Sequence, residues 1–165
     1  MLKNNQQLST SGTTLTYFTE NKIIRLIIIG IVATIAFDLV AYVDVTITGL
    51  PLNIPATLGE VILDKNQYSY LFGYLIHIGN GIVLSLLFGI LILPVFKKIL
   101  NIPTVIYAVI FSVLVTIIGV WLVMLPLLGA GIGGINMALE VPIITMLRHI
   151  SFGIVLGILV SRFIK

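Results

Sequence analysis

The chain contains no cysteine, which excludes disulfides, thiolate-bound metals and redox thiols and leaves the compartment unread from cysteine usage. Charge is nearly as scarce. Asp, Glu, Lys and Arg make up 9% of the 165 residues, where a soluble domain carries about a quarter. With 59% hydrophobic residues and a mean hydropathy of +1.20, there is too little polar surface to cover a globule. The net charge of +3 is no nucleic-acid footprint, because the few basic residues lie at the ends of apolar segments. What remains is a set of long apolar runs, the mark of an integral membrane protein whose first partner is the lipid bilayer.

Residues 1–22 are rich in Asn, Gln, Ser and Thr, lack periodicity and read as a polar cytoplasmic tail. The first apolar run is longer than a signal-peptide core and no small-residue cleavage site follows it, so it is expected to stay as an anchor. The expected fold is all-α, a polytopic membrane four-helix bundle over residues 23–165. Its helices cover residues 23–47, 68–96, 103–125 and 138–164, each long enough for a hydrocarbon core of ~30 Å. Lys3, Lys22, Arg25, Lys97, Lys98, Arg162 and Lys165 flank one side of these helices. The other two connections hold Asp44, Glu60, Asp64 and Glu140 against Lys65 alone. The positive-inside rule then places both termini in the cytoplasm. The expected compartment is the plasma membrane, that of a prokaryote if the family resemblance given below holds for this chain.

The two outer connections are not ordinary polar linkers. TGLPLNIPATLGEVILDKNQ contains two prolines and a short amphipathic stretch at 56–63, expected to lie at the interface or dip back as a short helix. LPLLGAGIGGINMALEVP is apolar and glycine-rich, so protein must cover its backbone at membrane depth. Each begins with Leu-Pro soon after a helix. Two rows at four-residue spacing reinforce the parallel: Gly73, His77, Gly81, Ser85, Gly89 and Thr145, His149, Gly153, Gly157, Ser161. The chain's two histidines share the frame H-I-x-x-G-I-V-L, 72 positions apart. The pattern implies two helical hairpins, 23–98 and 103–165, related by a pseudo-two-fold along the membrane normal.

Two readings of the histidines stand side by side. His77 and His149 would be axial nitrogens for a b-type haem, or ligands for copper, with Gly81 and Gly153 one turn away leaving room for a flat ring. Alternatively each imidazole hydrogen-bonds across helices while the small-residue rows permit close packing. Counting from Arg25 and Arg162, the Cα atoms of Asp38 and Arg148 both lie ~20 Å into the membrane, so Asp38 is expected to contact Arg148 or His149. That intramembrane pair would serve as a proton relay, as an acid fixing the tautomer of His149, or as a helix-packing device. Asp44 would pair with His77 or Lys65, and Glu60, Asp64 and Glu140 read as interfacial caps.

Other patterns carry less chemistry. Gly129, Gly131 and Gly134 satisfy G-x-G-x-x-G, but no strand precedes them and no acid follows about 20 residues on, so a nucleotide site is excluded. They are expected to form a tight non-helical crossing. Trp121, Tyr68, Tyr70 and Tyr74 read as interfacial aromatics. No residue sits in a nucleophile frame, so no catalytic residue is named.

The order of LPLNIPATLGEVI, the H-I-x-N-G frame at His77, WLVMLPLLGAGIGG and RHISFGIVLG resembles an uncharacterised family of small four-helix membrane proteins of archaea and bacteria, over about residues 30–160. That resemblance implies the architecture and no activity. Small Ile-rich polytopic chains are also similar in type to accessory subunits of respiratory or copper-monooxygenase complexes. The expected function is therefore a non-catalytic membrane accessory subunit of a larger redox complex, with other membrane subunits as partners. The alternatives are a haem- or metal-binding electron carrier using His77 and His149, and a small-solute or proton transporter.

Overall fold

The computed structural model describes residues 7–164, with side chains from residue 21 onward. Residues 1–6 of the expected tail lie outside the described residues, and α1 (Gln7–Thr48) begins within the rest of it. The described residues are helical throughout their ordered elements, with no strand. After α1 come α2 (Ile54–Leu63), α3 (Ser69–Phe96), α4 (Thr104–Leu127) and α5 (Val141–Phe163). Four stretches are long and apolar enough to cross a membrane: Asn21–Thr48 within α1, α3, α4 and α5, of 28, 28, 24 and 23 residues.

Local chemistry sets the boundaries. α1 ends where Gly49 adopts φ +71° and its N–H bonds back to the Val45 carbonyl, with Pro51 two residues on. Asn53 then caps α2, its Oδ1 accepting from the Ala56 N–H at 3.0 Å, and Pro55 occupies the first turn, where its missing N–H costs nothing. Pro142 sits in the first turn of α5 in the same way, and Pro103 is the extended residue just before α4. Between α4 and α5, Gly131 and Gly134 hold φ near +80°, a region closed to most side chains, so the glycine-rich connection turns sharply and contains a single 3₁₀ turn at Ile132–Gly134.

Each long apolar helix with an interior proline departs from α geometry before it. In α3 the segment Leu87–Ile92, ahead of Pro94, is π-helical, and in α4 the segment Val115–Met124, ahead of Pro126, is too. The Leu93 N–H bonds the Phe88 carbonyl and the Leu125 N–H bonds the Val120 carbonyl, both five residues back. Proline supplies no N–H and crowds the carbonyl four residues earlier, and widening the preceding turns relieves both.

Small residues fix the packing within each hairpin. A Cβ on Gly30 would lie 2.8 Å from the Gly81 carbonyl oxygen, so α1 and α3 cross in backbone contact. A Cβ on Gly153 would lie 2.8 Å from the Ala108 carbonyl oxygen, and one on Gly157 would lie 2.5 Å from Val105 Cα, which brings α5 equally close to α4. α2 folds back along α3 at the Gly59–Gly73 crossing. Between hairpins the packing is uneven. α1 packs along α5, but the equivalent pairing of α3 with α4 is confined to the end carrying Lys97 and Lys98, where Phe88 meets Phe111 at 5.4 Å and Phe96 meets Tyr107 at 6.2 Å.

The core is accordingly in two parts. One cluster, around Leu26, Phe88, Phe111, Phe152 and Leu156, fills the basic end; the other, around Leu52, Val120, Leu125, Val141 and Ile144, fills the loop end. Side chains such as Leu39, Ile47, Leu75 and Leu127 project outward from the bundle, as lipid contact requires.

Candidate functional site

Between the two core clusters, where α3 and α4 diverge, lies a cleft of about 640 Å³. Phe37, Phe111 and Phe152 form the side toward the basic end, and Ile54, Val120 and Met124 the side toward the loops. The π-helical stretch of α4 is one wall: Val115, Ile118, Gly119, Val120 and Met124 all line the cleft. Gly119 has nothing within 4 Å of a Cβ position, so the wall is recessed there.

Few polar groups interrupt this apolar lining. Thr34 and Thr145 reach it, but their hydroxyls donate to the Gly30 and Val141 carbonyls one turn back, at 2.8 and 2.7 Å. Thr145 Oγ1 also accepts from Trp121 Nε1 at 3.0 Å, so Trp121, read as an interfacial aromatic, is tied to the cleft wall. What remains is His77 and Asn80 on α3 and His149 on α5.

The two imidazoles are held differently. His149 Nδ1 lies 2.8 Å from the Thr145 carbonyl, which can only accept, so Nδ1 carries the proton and Nε2 is left as an acceptor. His77 Nε2 lies 3.0 Å from Asp38 Oδ1, and Tyr74 donates its hydroxyl to Asp38 Oδ2 at 3.2 Å. In the neutral ring the carboxylate takes the His77 proton on Nε2, which leaves Nδ1 as an acceptor. Phe37 packs against both, with ring centroids 5.2 Å from His77 and 5.0 Å from His149. Asn80 is exposed, and its amide has no hydrogen-bond partner among the described residues.

The expected ion pair is re-partnered. Arg148 does not reach Asp38; its Nε and Nη2 bond the two oxygens of Asp44, each at 2.6 Å, and its Nη1 donates to the Leu52 carbonyl at 2.9 Å. Arg148 is wholly buried and Asp44 is 8% exposed, so this is a bidentate, desolvated pair that ties α1 and the following loop to α5. The physical reason lies in helix direction. α5 runs from the loop end toward the basic end, and helical side chains lean toward their N-terminus. The guanidinium is thereby carried about one turn toward the loops, to Asp44, six residues or ~9 Å beyond Asp38. Asp38 goes to His77, neither to Arg148 nor to His149, and Asp44 meets neither His77 nor Lys65.

Gly81 and Gly153 are taken up by neighbouring helices. A Cβ on Gly81 would overlap the Thr34 hydroxyl, and one on Gly153 the Ser112 hydroxyl. Their small-residue faces seat α1 and α4, so neither is left open as a bed for a flat porphyrin. Among the described residues, no three His, Cys, Asp or Glu side chains gather as a metal-holding group. Glu140 makes no side-chain capping bond at the start of α5. Asn80 is the site residue that sequence reasoning passed over. Its signal was an amide amid apolar residues near the middle of a membrane-length helix.

A family model described as "Family of unknown function (DUF6789)" matches residues 21–165, which takes in all four membrane-length segments. No curated protein and no solved structure matches the chain.

Proposed function

We propose that this chain, a member of the DUF6789 family of unknown function, is a membrane-embedded binding protein that takes an apolar, membrane-soluble molecule from the bilayer into the cleft between α3 and α4. The observation that carries this reading is the cleft itself. It is a volume of drug-molecule size, lined by aromatic and aliphatic side chains with a few polar points, between two helices that part at membrane depth. The basic residues gathered at the Lys97–Lys98 end support an orientation with both termini in the cytoplasm.

The expected role as an accessory subunit of a redox complex is compatible with such a site, since a subunit can present a lipid-soluble molecule to its neighbours. Haem carriage fits the geometry less well, because His77 commits Nε2 to Asp38 and Phe37 packs against both imidazoles. A proton route gains Asp38, His77 and Tyr74 in a row, but the cluster around Leu26 and Phe88 closes the basic end with apolar side chains.

The test is saturable binding of an apolar fluorescent probe to the purified chain in lipid nanodiscs. Gly119→Leu fills the recess and is expected to weaken binding at least tenfold, while the thermal unfolding midpoint stays put because nothing lies against Gly119. Unsaturable partitioning that is indifferent to Gly119→Leu would sink the reading.

A further inference from the structure

We infer that the molecule the cleft selects is an aromatic ring carrying hydroxyl groups, of the hydroquinone class, in preference to the corresponding quinone. This deepens the binding reading above and rests on it. Donors and acceptors around the cleft decide which ring fits. Each imidazole spends its one proton inward, His149 Nδ1 on the Thr145 carbonyl and His77 Nε2 on the Asp38 carboxylate. The nitrogen left over on each ring is therefore a lone pair, and the two threonine hydroxyls nearby have already donated to helix carbonyls. The cleft thus offers two imidazole acceptors, set on α3 and α5 around the shared ring of Phe37, the Thr34 and Asn80 side-chain oxygens as further acceptors, and the Asn80 –NH2 as its free donor group.

A ligand that meets two acceptors must bring two donors. Two ring hydroxyls do so, and their oxygens can also accept from Asn80. A quinone brings two carbonyl acceptors against two lone pairs, and a diether brings no donor. In a low-dielectric site an unpaired polar group is costly, so this difference is read as affinity. Phe37, Phe111 and Phe152 suit an aromatic body, for which edge and offset contacts are favourable. The parted helices leave an exit for an alkyl tail into lipid. No electron or covalent bond is transferred; the inference concerns recognition alone.

The experiment uses the full chain in nanodiscs under anaerobic conditions, with Trp121, the single tryptophan, as the reporter beside Thr145. Three probes share one alkyl tail: a 1,4-dihydroxybenzene, its quinone and its dimethyl ether. Competition against the same apolar fluorescent probe separates site binding from collisional quenching. The dihydroxybenzene is expected to bind at least about tenfold more tightly than either relative, the size of effect that one unpaired buried acceptor produces. His149→Phe is expected to erase that preference, and His149→Gln, which restores an acceptor, to recover part of it. Thermal unfolding of each variant keeps loss of fold apart from loss of recognition. Equal affinity for all three probes would overturn this inference while leaving the cleft as a binding site. Absence of saturable binding by any of them would overturn both.

Discussion

At the scale of single residues, the membrane interior holds two ionisable pairs with different purposes. Arg148–Asp44 is buried, bidentate and completed by the Leu52 carbonyl, so it works as a clamp. Breaking one side leaves a charge without a partner in an apolar surrounding. Arg148→Met or Asp44→Leu alone is expected to cost about 3–5 kcal/mol, whereas the double variant should lose markedly less than the two combined. Thermal unfolding in detergent measures this, and additive losses would argue against a clamp. His77–Asp38, by contrast, is partly open and borders the cleft. The sequence named every member of both pairs, because charged and imidazole side chains stand out in apolar runs. It did not give the partners. Depth counted along Cα positions ignores that Arg148 leans toward the loops along α5, while Asp38 and Asp44 on the oppositely directed α1 lean toward the basic end, and together the two leans exchange Asp38 for Asp44.

At the scale of elements, helix number, the two Leu-Pro exits and the short amphipathic helix were legible from period, length and proline. The π-helical segments were not, although Pro94 and Pro126 marked their places. A proline says that a helix must adjust, and its neighbours decide whether the adjustment is a kink or a widened turn. Glycines divide by the same logic of surroundings. A Cβ on Gly59 would overlap the Ser69 carbonyl, whereas Gly79 on the adjoining helix has nothing within 4 Å. Gly59→Ala is expected to destabilise by about 1–3 kcal/mol and to loosen α2 from α3, while Gly79→Ala should be neutral or slightly stabilising through helix propensity. Urea or thermal unfolding of the pair of variants is the check, and equal effects would mean that the α2–α3 crossing carries no stability.

At the scale of the whole molecule, each hairpin is closed by glycine crossings, but the two hairpins meet each other unevenly. Gly81 seats α3 on α1 and Gly153 seats α5 on α4. The sequence had no means of showing that α1–α5 would close while α3–α4 would stay parted, since that depends on how side chains fill space between segments far apart in the chain. The cleft is the contact that perfect symmetry would have filled. Because the chain lacks cysteine, single-cysteine variants report its orientation cleanly. Lys97→Cys is expected to react only with a reagent supplied from the cytoplasmic side, and Lys65→Cys only from the opposite side. The reverse pattern would invert the proposed topology.

The uneven seam between hairpins has a mechanical consequence. α1 and α5 are pinned along their length, by Arg148 to Asp44 near the loops, by Ser151 to the Ala36 carbonyl at 3.4 Å in the middle, and by Arg25 to the Phe163 carbonyl at 2.8 Å at the basic end. Each hairpin is stiffened by its own glycine crossing. The molecule is thus two rigid covers on one spine, and the opening between α3 and α4 is its fore-edge. Widening that edge rocks one cover against the other, flexes the α3–α4 contact at Phe88 and Phe111 and leaves the glycine crossings within each hairpin intact, so a guest enters without unfolding either hairpin. Cysteines placed at Ile76 and Ile118 and joined by a short bifunctional reagent are expected to slow guest exchange at least tenfold. An unchanged exchange rate would mean that the guest passes by another route.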